Sequence, residues 1–102
     1  AWVSIRGVEQ PGLLEGEALI LANDGGEPAD ISGWSLLIRG ELSYTFPQGV
    51  LVPAGGQVAL HTRLGQDTET DLFWGLEAAL WADAALQATL QDQTGRVVAL
   101  YP

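Results

Sequence analysis

The side chains able to do chemistry are few and scattered. His61 is the only histidine, in the run Ala59-Leu60-His61-Thr62. A hydrolytic triad would need a nucleophile and an acid brought to that one imidazole. The serines Ser4, Ser32, Ser35 and Ser43 lie in strand or turn contexts, and none occupies a G-x-S-x-G elbow. His61 therefore reads as a strand-end residue at a sheet surface. One histidine cannot build a His-rich metal site, and the absence of cysteine removes thiol catalysis, disulfides and thiolate zinc. Asp67, Glu69 and Asp71 are the best oxygen-donor set, because at period two they would share one face of a strand and could serve Ca²⁺. No EF-hand spacing accompanies them, so a solvated acidic loop is the expected reading, and neither a metal nor another cofactor is predicted. No Gly-rich run opens a helix to cradle phosphate, and nothing selects a carboxylate pair for glycoside hydrolysis. The chain is expected not to be an enzyme.

Aromatic residues are the next candidates. Trp34, flanked by Ile31, Leu36 and Ile38, is expected to bridge two layers of a core that also takes Phe46, Ile20, Leu36 and Leu90. Trp2, Phe73, Trp74, Trp81 and Tyr101 are harder to place. Phe73 and Trp74 are adjacent, so in a strand they point to opposite faces. Exposed aromatics anchor sugars and protein partners, which makes Trp74, Trp81 and Phe73 the candidate ligand or partner surface. The plainer use is to cover one end of the core through the segment 70–86.

The charge balance narrows the partners. Thirteen acids against four arginines give a net charge of -9 with no lysine. Phosphate neutralisation needs clustered basic residues, so nucleic acid is not an expected ligand. No window reaches the roughly 18 apolar residues of a membrane span, and no membrane insertion is expected. The start, Ala1-Trp2-Val3-Ser4, has no initiator Met and no signal-peptide pattern, which suggests one domain, residues 1–102, cut from a longer protein. A chain of 102 residues buries about two-thirds of its unfolded surface, enough for one two-layer core.

Short strands must position these residues. Gly and Pro punctuate the sequence at close intervals, leaving apolar-alternating runs at 2–8, 17–23, 33–39, 42–46, 57–62, 70–74, 86–91 and 96–101. The last two form a hairpin: Leu86, Ala88 and Leu90 alternate with Gln87, Thr89 and Gln91, and a turn ending in Gly95 follows. Residues 76–86 disagree, being rich in helix formers with Leu76, Leu80 and Ala84 on one side of a short helix. An irregular crossover near 75–86, with at most one helical turn near 76–80 or 82–85, is the expectation.

Gly16 to Asn23, then Asp24-Gly25-Gly26-Glu27-Pro28-Ala29-Asp30-Ile31-Ser32-Gly33-Trp34-Ser35-Leu36, resembles the opening of a lamin tail domain: a strand ending in Asn, a turn, a Ser-Gly-Trp segment and a second strand. Tyr44-Thr45-Phe46-Pro47, Val52-Pro53-Ala54-Gly55-Gly56-Gln57-Val58, Thr70 to Trp74, Leu80-Trp81 and Ala88 to Val98 continue the resemblance in order over roughly 3–101. It implies an all-β, immunoglobulin-like β-sandwich of about eight short strands. It also implies a non-catalytic interaction or scaffolding module of a bacterial or archaeal type, found in exported, multidomain proteins with an extracytoplasmic or cell-surface setting. The expected partner is a protein or a neighbouring domain of the same chain. Two other functions compete: a carbohydrate-binding module stacking sugars on Trp74 and Trp81, and a passive structural spacer.

The chain departs from the family pattern after Trp81. Ala82-Asp83-Ala84-Ala85-Leu86-Gln87 replaces a polar, Gly-containing turn, so a function carried by that turn is not expected here. Acids concentrated in turns and strand edges also oppose edge-to-edge self-pairing and favour a distinct, basic partner.

Overall fold

Short runs between Gly and Pro turns form ten strands in the computed structural model, which describes residues 2–38, 42–81 and 87–101. They are β1 (Val3–Glu9), β2 (Ala18–Asn23), β3 (Ala29–Asp30), β4 (Ser35–Ile38), β5 (Leu42–Thr45), β6 (Leu51–Val52), β7 (Gln57–His61), β8 (Asp71–Phe73), β9 (Ala88–Gln91) and β10 (Val97–Tyr101). Eight coincide with the expected runs. β3 and β6 are additional, and two residues are too few to leave a readable alternation.

The strands form two four-stranded sheets, β1-β2-β7-β8 and β10-β9-β4-β5, with β3 and β6 paired as a small ribbon. All pairings are antiparallel except β7 with β8. This is an immunoglobulin-like sandwich, with strands adjacent in a sheet but distant in sequence. Leu19, Leu21, Val58, Leu60 and Leu72 of the first sheet join Leu36, Ile38, Ala88 and Leu90 of the second in one buried cluster with Phe46. Each fully buried leucine contributes about 1.5–3 kcal/mol relative to exposure. β4, β7 and β9 alternate buried and part-exposed positions, whereas β2 is buried at all six. β2 lies between β1 and β7, and Ala18 and Ala22 keep its second face small.

Buried polar groups close both ends of β2. Asn23, fully buried, donates from Nδ2 to the carbonyls of Glu27 (2.7 Å) and Val52 (3.1 Å). Its Oδ1 accepts the N–H of Trp2 (3.0 Å) and of Gly25 (2.9 Å). Its backbone exchanges hydrogen bonds with Gly55 and Gly56, so the chain start and two turns are tied to one amide side chain. At the other end Glu17, also fully buried, accepts the Thr62 hydroxyl at 2.6 Å and the Gly12 N–H at 2.9 Å. The N–H groups of Leu80 and Trp81 complete its shell. Four donors satisfy a carboxylate that would otherwise be costly to bury.

Glu17 also explains the fate of the helix-prone segment. Residues 76–81 follow the expected irregular crossover, with bends and a turn and no helical turn near 76–80. The N–H groups of Leu80 and Trp81 are committed to Glu17, and the Trp81 side chain is buried. A few tenths of a kcal/mol of propensity per residue cannot compete with those contacts. The alternative turn near 82–85 lies outside the described residues.

Candidate binding cleft

Three of the five prolines, Pro28, Pro47 and Pro53, converge on a cleft of about 610 Å³. Val50 and Leu51 line it with them, and the run Asp67-Thr68-Glu69-Thr70 and Leu72 supply the rest of the lining. Leu51 is half exposed, which makes it the largest accessible apolar side chain of this lining. Such a volume falls in the range, roughly 300–1,000 Å³, of sites that hold small ligands or a few side chains.

Local hydrogen bonding builds the proline wall. The Asp30 carboxylate accepts the Ser32 N–H (3.0 Å) and hydroxyl (2.6 Å), and the Ser32 Oγ accepts the Gly49 N–H (2.8 Å). These bonds to Ser32 hold the Asp30 carboxyl below its ordinary value. Gly49 has φ of 86°, a left-handed conformation that makes glycine the suitable residue after Pro47-Gln48. Ile31 donates its N–H to the Val50 carbonyl, and its side chain is fully buried. The Asp-Ile-Ser-Gly sequence is therefore a bracket that fixes the turn at 47–50 against the core.

The acidic wall follows from the parallel pairing of β7 and β8. The loop 62–70 must return along the sheet before β8 begins, and it runs beside the outer edge of β8. Asp67 accepts the Phe73 N–H at 2.9 Å, and Thr68 exchanges bonds with Asp71 through its N–H and its Oγ1. The open edge of β8 is thus occupied by the chain's own loop, which blocks strand addition there. Tyr44, half-buried on β5, has its hydroxyl pushed up to about 12, first by burial and then by the charge of Asp67.

Of the three carboxylates weighed as calcium ligands, two have other bonds to make. Asp67 is spent on Phe73, and Asp71 bonds His61 at 2.8 Å and the Thr70 hydroxyl at 2.8 Å, which lowers its carboxyl. Among the described residues no three His, Asp or Glu side chains come together in a metal-holding group. Glu69 is exposed on the cleft wall.

The expected aromatic surface is dispersed. Trp81 is 6% exposed and meets Tyr101 edge-on at 6.1 Å, so it belongs to the core and not to a ligand face. Trp74 is half-buried with its ring 5.5 Å from Tyr44. Phe73 is stacked on His61 at 4.7 Å with the Arg63 guanidinium 5.0 Å from its centroid. Trp34, expected to bridge the layers, is only partly buried and packs against the core from its side, while Phe46, Ile20, Leu36 and Leu90 are buried. Trp2 is the exposed tryptophan, at 72%. Sequence reasoning passed over Glu17 and the prolines. An acid opening the apolar run Ala18-Leu19-Ile20-Leu21 was the available signal for the first; the convergence of the prolines left none.

The Asn23 hub, the Asp30–Gly33 bracket and the Gly55–Gly56 turn are the positions on which the sequence resemblance rests, and each has a structural task. The model of the Lamin Tail Domain family matches residues 3–102. The chain belongs to the lamin tail domain family. No curated protein matches the sequence. The lamin tail domain is a non-enzymatic, immunoglobulin-like domain commonly engaged in protein interaction. Its signature residues here hold turns in place and do not converge on a reactive centre.

Proposed function

We propose that this lamin tail domain is a non-catalytic recognition module of a larger, exported, multidomain protein, and that it engages a protein partner or a neighbouring domain. The observation that carries the reading is the cleft between the proline wall and the loop 67–70: it is preformed, partly apolar and accessible. The chemistry-bearing side chains support the same reading. His61 faces Asp71 and Phe73 with no serine placed as a nucleophile, and the buried Glu17 carboxylate is occupied by four donors. The capped edge of β8 and the acidic surface oppose self-pairing, so recognition by a different molecule is favoured.

The test is parallel screening of the purified domain on a peptide-display library and a glycan array. Selection of peptides with no glycan retained supports the reading. Glycan binding that disappears in Trp74→Ala, with no peptide selected, would replace it with carbohydrate recognition. Binding to neither would leave a spacer.

A further inference from the structure

We infer that the cleft between the proline wall and the loop 67–70 receives a segment of a protein partner that places a lysine or arginine beside an apolar side chain. The inference rests on the protein-recognition reading above and names the chemistry of the partner.

Charge complementarity carries it. Asp67 and Glu69 line it, and among the described residues neither Arg nor His does. Among the described residues neither carboxylate forms an ion pair; the Arg63 guanidinium is directed at the Phe73 ring and the Leu64 carbonyl instead. Asp67 gives one oxygen to the Phe73 N–H, which fixes its orientation and leaves Oδ2 for a cation. The net charge of -9 adds a long-range attraction for a basic segment and a repulsion for an acidic one.

The proline part of the lining selects the rest of the segment. Pro28, Pro47 and Pro53 present ring carbons and no N–H, and Leu51 adds half-exposed aliphatic surface. A purely polar cation would leave this wall wetted, whereas a basic side chain next to Leu, Val or Pro covers both walls at once. The pyrrolidine rings are rigid and the Asp30–Ser32–Gly49 bracket holds the turn, so little conformational freedom is lost on binding.

The experiment is panning of a random-peptide display library on the whole domain. Selected peptides are then synthesised and titrated into isotope-labelled protein, with amide shifts recorded. The expected result is enrichment of Lys or Arg next to an apolar residue, and shifts centred on Gln48, Gly49, Leu51 and Thr68 to Thr70. Affinity should fall about tenfold in Glu69→Lys and in Leu51→Ser, and should fall as salt is raised. Both residues are exposed, so these variants keep the fold, and unchanged melting temperatures verify it. Peptides that bind elsewhere, or that carry no basic residue, overturn the inference and leave the protein-recognition reading standing. A library that yields no binder, with a glycan array or a lipid-vesicle assay positive, overturns both.

Discussion

The carboxylate of Glu17 lies 3.2 Å from the backbone N–H of Trp81, a residue 64 positions further along the chain. Through this contact the loop before β2 and the segment after β8 share one buried acceptor, with Thr62 and Gly12 as the other donors. Glu17→Gln keeps the volume but turns one acceptor into a donor that faces other donors. It should cost about 2–3 kcal/mol and lower Tm by about 8 °C or more. Calorimetry checks the magnitude, and faster amide exchange at Leu80 and Trp81 checks the location. An unaltered Tm would mean the carboxylate has no such role.

Asn23 allows a sharper substitution, because Asn23→Asp removes only the two Nδ2 donors and adds a charge. The Glu27 and Val52 carbonyls would lose their donor and face a carboxylate oxygen, while the Trp2 and Gly25 N–H groups still bind the other oxygen. A loss of about 3 kcal/mol or more is expected at neutral pH, with partial recovery on acidification as the new group takes up a proton. Urea denaturation at two pH values reads both effects. Stability independent of pH in the variant would contradict the placement of this side chain.

How much of this was legible in the sequence depends on range. The eight longer strands are written in short apolar runs between turn residues, most of them alternating, and the resemblance built on Asp30-Ile31-Ser32-Gly33-Trp34 pointed to the sandwich. The irregular course of 76–81 was expected, but its cause was not legible, since its helix propensity is local while Glu17, which overrides it, is distant. Trp34 was expected deeper than it sits, and Trp81 was left open between core cover and a ligand face, for a similar reason. Alternation says that a tryptophan sits on a face, but which face is covered depends on a crossover whose path the local pattern does not encode. The cleft was unreadable because Pro28, Pro47, Pro53 and Asp67 are ordinary turn and loop residues until the fold brings them together.

Acid should weaken the fold in a defined window. Asp30 is held low by hydrogen bonds from Ser32, Asp71 by those from His61 and then Thr70, and Asp92 chiefly by that from Thr94. A carboxyl with a depressed folded value contributes stability above its ordinary value of 3.8, and the contribution is lost as pH falls through the folded value. Tm should therefore decline from about pH 4 downward. Replacing all three by Asn should lower Tm at neutral pH and flatten the acid limb. Thermal melts across that range decide it, and an equally steep limb in the triple variant would assign the acid response to other groups.

At the alkaline end the relevant group is Tyr44. Its neutral form is favoured in the fold, so this stability is present below the ordinary value of 10.0 and is lost as pH rises from there toward about 12. In a Tyr101→Phe background, phenolate absorbance reports Tyr44 alone. Its midpoint should lie near 12 in folded protein, and Asp67→Asn should move it downward by removing the nearby charge. A midpoint at the ordinary value would mean the ring is not enclosed between β5 and Trp74.

The tryptophans separate core from surface most directly. Trp81, buried and edge-on to Tyr101, should cost about 3–5 kcal/mol when changed to Ala, a large share of the stability of a domain of this size. Trp2, 72% exposed, should change stability by less than about 0.5 kcal/mol, because its side chain leaves little apolar area covered and its backbone N–H to Asn23 survives the substitution. Trp74→Ala should fall between them, since one side of the ring rests on Tyr44. Chemical denaturation of the three variants gives the order, and acrylamide quenching of single-tryptophan proteins gives the exposure independently. A Trp81→Ala protein as stable as its parent, with Trp81 readily quenched, would return that ring to the surface and revive its use as a sugar-stacking platform.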